Sequence, residues 1–486
     1  MASLRERIAT LQPSHLAIGI VLFTALLHLL VMGRFDLSVD EAHYALYGLK
    51  PDWSYFDHPP MVGWLQTLVV PFFQSEFALR LWAVVLGVAS SALLFRLTRA
   101  LFPVSSPWSA AVAVALLNSA LIFQLVTLAL VPELPLLLFA LFAALMLYRA
   151  LQEGRLLHWL GVGAGFGLAG LSKYTAVTLV ITTLVLLVWE RRWRVLRTPG
   201  PWLAMVLATL LIMPVLYWNL HHDWLSFRYQ LGHGAPDRHW SLLRFARSQL
   251  IQLFTYGPVM IFGVWTLVRG WRERHHAGVR FSLAMALPLL LLMGWGAGLE
   301  DTLPHWTLLG WTGLLPLVSV LLVQHGALRW VRVASWLSAG YALVMIALLH
   351  SLLFKPWLPF DDYRHPLGDL LGWREAALHA QQLAASHGGV PIVVGNWSLG
   401  SRIAWYARPT RIVVADDRYD QFDLWYGSPA AGEGGVLIVP DNYEGRSEVS
   451  GLARFTRCEL LDTQSKVVGG NIVHRFSFYE CSGYRG

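Results

Sequence analysis

The chain is 486 residues long, 56% apolar and only 14% charged, with 23 Trp, 23 Phe, two Cys and a net charge of +7. Soluble proteins carry about 25% charged residues, so an ordinary water-soluble enzyme is excluded, as are a disordered chain, a collagen and a small disulfide scaffold. What remains is a polytopic membrane protein, whose basic excess is expected at the cytoplasmic ends of its spans rather than against nucleic acid.

A hydrocarbon core about 30 Å thick needs runs of roughly 20 apolar residues. Eleven spans are predicted, at 15–33, 77–97, 108–127, 131–149, 157–172, 174–190, 201–219, 247–268, 281–299, 305–323 and 333–353. Lys and Arg in short loops stay on the cytoplasmic side. With a cytoplasmic N-terminus carrying Arg5, Glu6 and Arg7, the inside segments hold 16 of the 24 basic residues of 1–354, while 11 of its 15 acids lie outside. Val31-Met32-Gly33-Arg34 lacks the small-x-small cleavage pattern, so the first run reads as a retained anchor. An odd number of spans then puts the C-terminus outside, which in a bacterium is the periplasm. Two regions follow: a membrane part, 1–354, with a first extracytoplasmic loop at 34–75, and a polar tail, 355–486.

That first loop holds the densest polar cluster, Asp36-Leu37-Ser38-Val39-Asp40-Glu41-Ala42-His43-Tyr44 followed by Ser54-Tyr55-Phe56-Asp57-His58-Pro59-Pro60. Ionisable groups beside a span are costly and point to function by default. Asp40 and Glu41 stand about 100° apart on a helix, so one can face a cavity while the other serves as a cap or partner. Ser38 or Asp40 also suits the N-cap of a helix at 41–49. His58 before two prolines reads as a bend, or as a ligand; a metal site from His43, Asp57 and His58 has no diagnostic spacing.

Further along, Arg80 opens the second span and Glu133, after Pro132, opens the fourth. Gly161, Gly163, Gly165 and Gly167 lie inside a span with no preceding strand, which favours close helix packing over a nucleotide loop. Lys173 is squeezed between two spans and needs an anion, such as a lipid-linked phosphate. His221, His222 and Asp223 lack the spacing of a metalloprotease helix. In the tail, 390–394, 411–415, 435–439 and 471–479 are predicted strands and 398–406 a helix, which makes a small α/β domain. Arg402, Asp416 and Asp417 follow strand-like segments, where a solvated surface is the plainer reading. Cys458 and Cys481 share the tail, and their spacing leaves a disulfide open.

Taken in order, Asp40-Glu41-Ala42-His43-Tyr44, Ser54-Tyr55-Phe56-Asp57-His58-Pro59-Pro60, Leu171-Ser172-Lys173-Tyr174-Thr175-Ala176, Asp223-Trp224-Leu225-Ser226-Phe227 and Pro304-His305-Trp306 resemble the bacterial branch of the protein-mannosyltransferase and aminoarabinose-transferase superfamily. These are family 39 type glycosyltransferases with the C-type (GT-C) membrane fold. The resemblance covers about residues 15–325. It implies transfer of a sugar from a polyprenyl-phosphate donor to a lipid, glycan or protein acceptor on the outer face, without a nucleotide sugar. It places the catalytic base on Asp40 with Glu41 as partner, and the donor phosphate on Arg80, Lys173 and Tyr174. Glu133, Asp57, His58 and His305 become candidates for substrate or a divalent metal; Glu133 replaces the Asp that members commonly carry. The rival reading is a flippase or transporter of lipid-linked glycans, against which the chain shows no internal symmetry.

Overall fold

The computed structural model describes residues 12–234, 239–441 and 451–485; the N-terminal Arg5, Glu6 and Arg7 lie outside these. It divides into two compact units. One holds the chain up to Leu29, Asp57–Val62 and Leu81–Leu349; the other holds Leu30–Phe56, Gly63–Arg80 and His350 onward.

The first unit is helical. Among the described residues, seven helices of the chain are long and apolar enough to cross a membrane: Pro13–Val31, Glu76–Leu101, Glu133–Glu153, Pro199–His221, Ala277–Leu299, Pro304–Gln324 and Arg329–Phe354. Three of these, Pro13–Val31, Pro199–His221 and Arg329–Phe354, leave most of their apolar side chains exposed, as helices bathed in lipid do. Pro304–Gln324 is almost wholly enclosed. The protein is therefore a multi-pass membrane protein.

Two predicted spans are not straight helices. Residues 108–127 break into Trp108–Ser119 and Leu121–Leu128, bent by 69° at the extended Ala120, and 247–268 breaks into Leu242–Tyr256 and Pro258–Arg272, bent by 113°. At the second break Gly257 has φ +50°, and Pro258 offers no N–H to continue the ladder. A Cβ on Gly257 would lie 2.5 Å from the Tyr341 ring. Residues 157–172 and 174–190 form shorter apolar helices separated only at Lys173. The glycine series packs helices, as its composition suggests. A Cβ on Gly165 would meet Ala143 at 2.7 Å, and one on Gly163 would meet the Ala204 carbonyl at 2.5 Å.

The second unit is built on a five-stranded sheet ordered β2-β1-β3-β5-β4. Its strands are β1 Ile392–Val394, β2 Ile412–Val414, β3 Gly435–Pro440, β4 Phe455–Val468 and β5 Asn471–Tyr484. β1 pairs in parallel with β2 and β3, and β5 pairs antiparallel with β3 and β4. β4 escapes a pattern search because it is an edge strand whose side chains are largely exposed and polar, among them Arg457, Glu459, Asp462 and Lys466. The helix Trp373–Ser386 was likewise not predicted. Cys458 and Cys481 stand opposite each other on β4 and β5 and are bridged.

The core of this unit also contains residues of the first loop. Leu37, Ala42, Ala45, Leu46, Val70 and Leu79 share one buried cluster with Trp373, Leu399, Ile403, Ile392 and Phe476. Residues 30–56 and 63–80 are thus grouped with the tail from 350 onward, beside the expected boundary at 354. The physical reason is the apolar face of the helix Val39–Leu49, which is covered by the helix Trp397–Tyr406.

Candidate functional site

In the tail unit, Ser38 is the N-cap of the helix Val39–Leu49, and it forms a reciprocal capping box with Glu41. The Ser38 N–H and Oγ–H both donate to Glu41 Oε2, at 3.0 and 2.9 Å. Asp40 and Glu41 therefore occupy the first helical turn with divided surroundings. Glu41 is 5% exposed and turned inward, while Asp40 is half-buried.

Glu41 meets Arg80, which is fully buried. Arg80 Nε donates to Glu41 Oε1 at 2.6 Å, and Nη2 to Glu41 Oε2 at 3.0 Å. The remaining N–H groups reach backbone carbonyls: Nη1 those of Met32 at 2.6 Å and Phe35 at 3.0 Å, and Nη2 that of Asp36 at 2.9 Å. The guanidinium also lies 3.9 Å over the Phe35 ring. A guanidinium has five N–H donors, and all five are used. The donor-phosphate role expected of Arg80 would therefore have to compete with these contacts. Arg80 ties the turn at 32–36 to the helix that carries Asp40, and Glu41 is its counter-ion.

The same stretch is fastened to the tail by polar contacts. Asp36 Oδ2 accepts from the backbone N–H of Trp373 at 3.0 Å, and Glu76 accepts from Arg374 and from the Tyr406 hydroxyl. Burial raises the Asp36 carboxyl above its ordinary range even with these N–H donors. His43 is enclosed by the rings of Tyr47, Trp397, Phe422 and Trp425, with Nδ1 3.0 Å from Ser401 Oγ. It is packed as a core histidine rather than as a metal ligand.

In the membrane unit a second cluster forms around Glu133, at the start of the helix Glu133–Glu153. Its carboxylate is ion-paired with Lys173 and lies 3.4 Å from His305 Nε2. Lys173 interrupts the helical path in an extended conformation (φ −159°, ψ 144°), and its ammonium sits 5.6 Å over the Trp306 ring. The anion that Lys173 needs is thus supplied in part by Glu133. Tyr174 follows directly and packs edge-on against Phe227. His58 lies within electrostatic reach of Glu133 and 3.9 Å from Asp57, whose carbonyl accepts from Gln230. Five of the predicted residues (Glu133, Lys173, His305, His58 and Asp57) are therefore brought into one neighbourhood. Among the described residues, no three His, Cys, Asp or Glu side chains gather as a metal site.

Sequence reasoning missed Ser38 as the partner of Glu41, although Ser-x-x-Glu is the capping-box signature. It also missed Tyr406 and Arg374, which reach Glu76 only once the chain is folded.

Comparison with known proteins agrees with this architecture. Residues 57–218 match the family described as dolichyl-phosphate-mannose-protein mannosyltransferase. The chain is 25% identical over 374 residues to the lipid A galacturonosyltransferase RgtD of Rhizobium johnstonii, covering 74% of this chain and 76% of that one. Its fold matches ArnT from Cupriavidus metallidurans in the apo state with a TM-score of 0.64 at 14% identity, over 95% of this chain and 97% of that one. The structure of the same enzyme bound to undecaprenyl phosphate matches with a TM-score of 0.61 at 13% identity and the same coverage. The matched segment is similar in sequence to the mannosyltransferase family and most of the chain to a membrane glycosyltransferase, and its fold is the GT-C fold of ArnT.

Proposed function

We propose that the chain moves a sugar from a polyprenyl-phosphate donor to a lipid, glycan or protein acceptor, with inversion and with Asp40 as general base. The observation that carries this reading is the division of labour between adjacent carboxylates. Glu41 is consumed by Arg80 and Ser38, whereas Asp40, on the same helical turn, stays at the partly exposed surface. A base must reach a substrate hydroxyl, and a carboxylate locked to a buried guanidinium does not.

In the proposed step Asp40 accepts the acceptor hydroxyl's proton as that oxygen attacks the anomeric carbon. The carbon–oxygen bond to the lipid phosphate breaks, and the phosphate leaves with the electron pair. Lys173 is the cation assigned to that phosphate, with Glu133 holding its ammonium in place and Tyr174 beside it. A single displacement needs one base, so a spaced pair of carboxylates as in glycosidases is not required. The undecaprenyl phosphate held by ArnT supports a polyprenyl donor, and the lipid A named for RgtD supports a lipid-borne acceptor.

The location we propose is a bacterial inner membrane, with the N-terminus cytoplasmic and the tail unit periplasmic. The concentration of Arg and Lys in alternate loops supports the orientation. The Cys458–Cys481 disulfide supports an oxidising compartment for the tail.

The test is transfer from radiolabelled polyprenyl-phosphate sugars to lipid and protein acceptors by the purified protein, comparing it with Asp40→Asn. Loss of a general base lowers the rate by roughly 10²–10⁴-fold, and that drop is expected. Undiminished transfer by the variant would overturn the base assignment. Lipid movement across vesicles with no transfer from any donor would favour the flippase.

A further inference from the structure

The strand order of the tail unit marks a place that the reaction scheme leaves unused. From β1 the chain crosses to β2 on one side, then returns past β1 to β3 on the other, and all three strands run parallel. In such sheets ligands lie beyond the carboxyl ends of the strands; the reversal itself falls between β1 and β3, and the carboxyl end of β2 flanks that of β1 on its other side. Here those ends lead into Asn396 and Trp397 after β1, and into Asp416, Arg418 and Asp420 after β2.

Asp420 is the unexplained group. It is only 3% exposed, and its Oδ1 accepts from the Phe422 N–H at 2.8 Å to cap the helix Gln421–Tyr426. Its Oδ2 is buried with no hydrogen-bond partner among the described residues, and a buried polar atom left so needs a reason. Arg418, Asp416 and His43 are the charged and titratable groups that act on it. Asp416 uses Oδ1 for the Arg418 N–H, and the Arg418 guanidinium lies 5.3 Å from the Phe56 ring and 5.9 Å from that of Trp397. Burial pushes both carboxyls up, that of Asp420 to about 6.

The chemistry of this edge selects among ligands. Asp417 is taken by an ion pair with Arg454, and the remaining Asp416, Asp420 and Asp423 outweigh one Arg418, which disfavours a phosphate despite the strand-end position. Two carboxylate acceptors beside the half-buried Trp397 indole suit a sugar, whose hydroxyls donate and whose C–H face stacks. His43 links this edge to the chemistry, since it sits one helical turn after Asp40 on the same face and acts electrostatically on Asp420.

We propose that the carboxyl ends of β1 and β2 form a carbohydrate subsite, in which Asp416 and Asp420 accept sugar hydroxyls and Trp397 carries the sugar face, so that the acceptor is bound by a glycan part. This rests on the transferase reading and narrows its acceptor to a glycan-bearing molecule.

The experiment uses the full chain in nanodiscs, with the neutral disaccharide di-N-acetylchitobiose as probe in saturation-transfer NMR and a serine- and threonine-rich peptide as the contrasting probe. The disaccharide is expected to bind, and Asp420→Asn and Asp416→Asn to weaken it about tenfold or more, as loss of a hydrogen bond to a charged group does. Asn at 420 keeps the helix cap, so a cooperative unfolding transition no lower than the parent's shows that the variant is folded. In glycosyl transfer the same variants are expected to raise the acceptor KM with kcat retained. Asp40→Asn is expected to bind the disaccharide normally and to transfer nothing. No binding of the disaccharide, equal binding by the Asp420 and Asp416 variants, or binding of the peptide alone overturns the subsite. Transfer that survives in Asp40→Asn overturns the base assignment instead.

Discussion

Replacing Arg80 by Met separates the two roles open to it. The substitution removes five hydrogen bonds and strands the Glu41 carboxylate, which is 5% exposed and retains only its capping contacts with Ser38. Breaking a buried ion pair from one side costs about 3–5 kcal/mol. For a unit of this size 1 kcal/mol corresponds to about 2–4 °C, so the tail unit's unfolding transition should fall by roughly 10 °C. Glu41→Leu alone should be comparably costly, because it leaves a guanidinium buried without a counter-ion. The double variant Arg80→Met with Glu41→Leu should recover roughly 1–3 kcal/mol of the summed loss, since partners in direct contact couple by that much. The assay is thermal unfolding of the four proteins in detergent, followed by transfer kinetics at a temperature where all are folded. If the two losses simply add, or if Arg80→Met keeps its stability and only raises the KM for the lipid donor, the positioning role is wrong and Arg80 is a phosphate ligand.

Three further outcomes are expected. Asp420 is held at about 6 by burial, against an ordinary 3.8, so the folded state carries an extra proton between those values. The stability tied to this group is complete below about pH 4 and is lost as pH rises through 6, an amount of roughly 2–3 kcal/mol. Asp420→Asn should flatten that part of the pH–stability curve, and an unchanged slope would show that the carboxyl is not buried as described. Cys458 and Cys481 close a sequence separation of 23 residues. Cys458→Ser with Cys481→Ser should cost about 2–4 kcal/mol, measured as an unfolding shift of the tail unit that dithiothreitol reproduces in the parent protein. Truncation after residue 354 removes Leu399, Ile403 and Trp373 from the cluster that holds Ala42, Ala45 and Leu46. The truncated chain should lose transfer and become protease-sensitive within 34–75, and retained transfer would show that the tail is dispensable to the Asp40 helix.

The eleven predicted spans correspond to helical segments along the chain because hydropathy is a local property, summed over residues adjacent in sequence. The two breaks at Ala120 and Gly257 were not legible in the same way. A bend changes backbone angles without changing apolar content, and at Gly257 only the opposing Tyr341 ring reveals the need for glycine. β4 was hidden for the converse reason, since an edge strand with polar side chains carries no burial pattern.

The candidate residues divide along the same line. Composition and order along the chain singled out Asp40, Glu41, Arg80, Glu133, Lys173 and His305, because charges are few in a membrane protein and those beside spans stand out. Which of them are partners was decided only by folding. Glu41 reaches Arg80 across 39 positions and Glu133 reaches Lys173 across 40, distances over which sequence carries no periodic signal. The pairing engages all five N–H groups of Arg80 within the fold and leaves Asp40 as the more accessible of the two adjacent carboxylates. It also joined the first loop to the tail, since the apolar face of a short helix does not name its partner until another apolar face covers it.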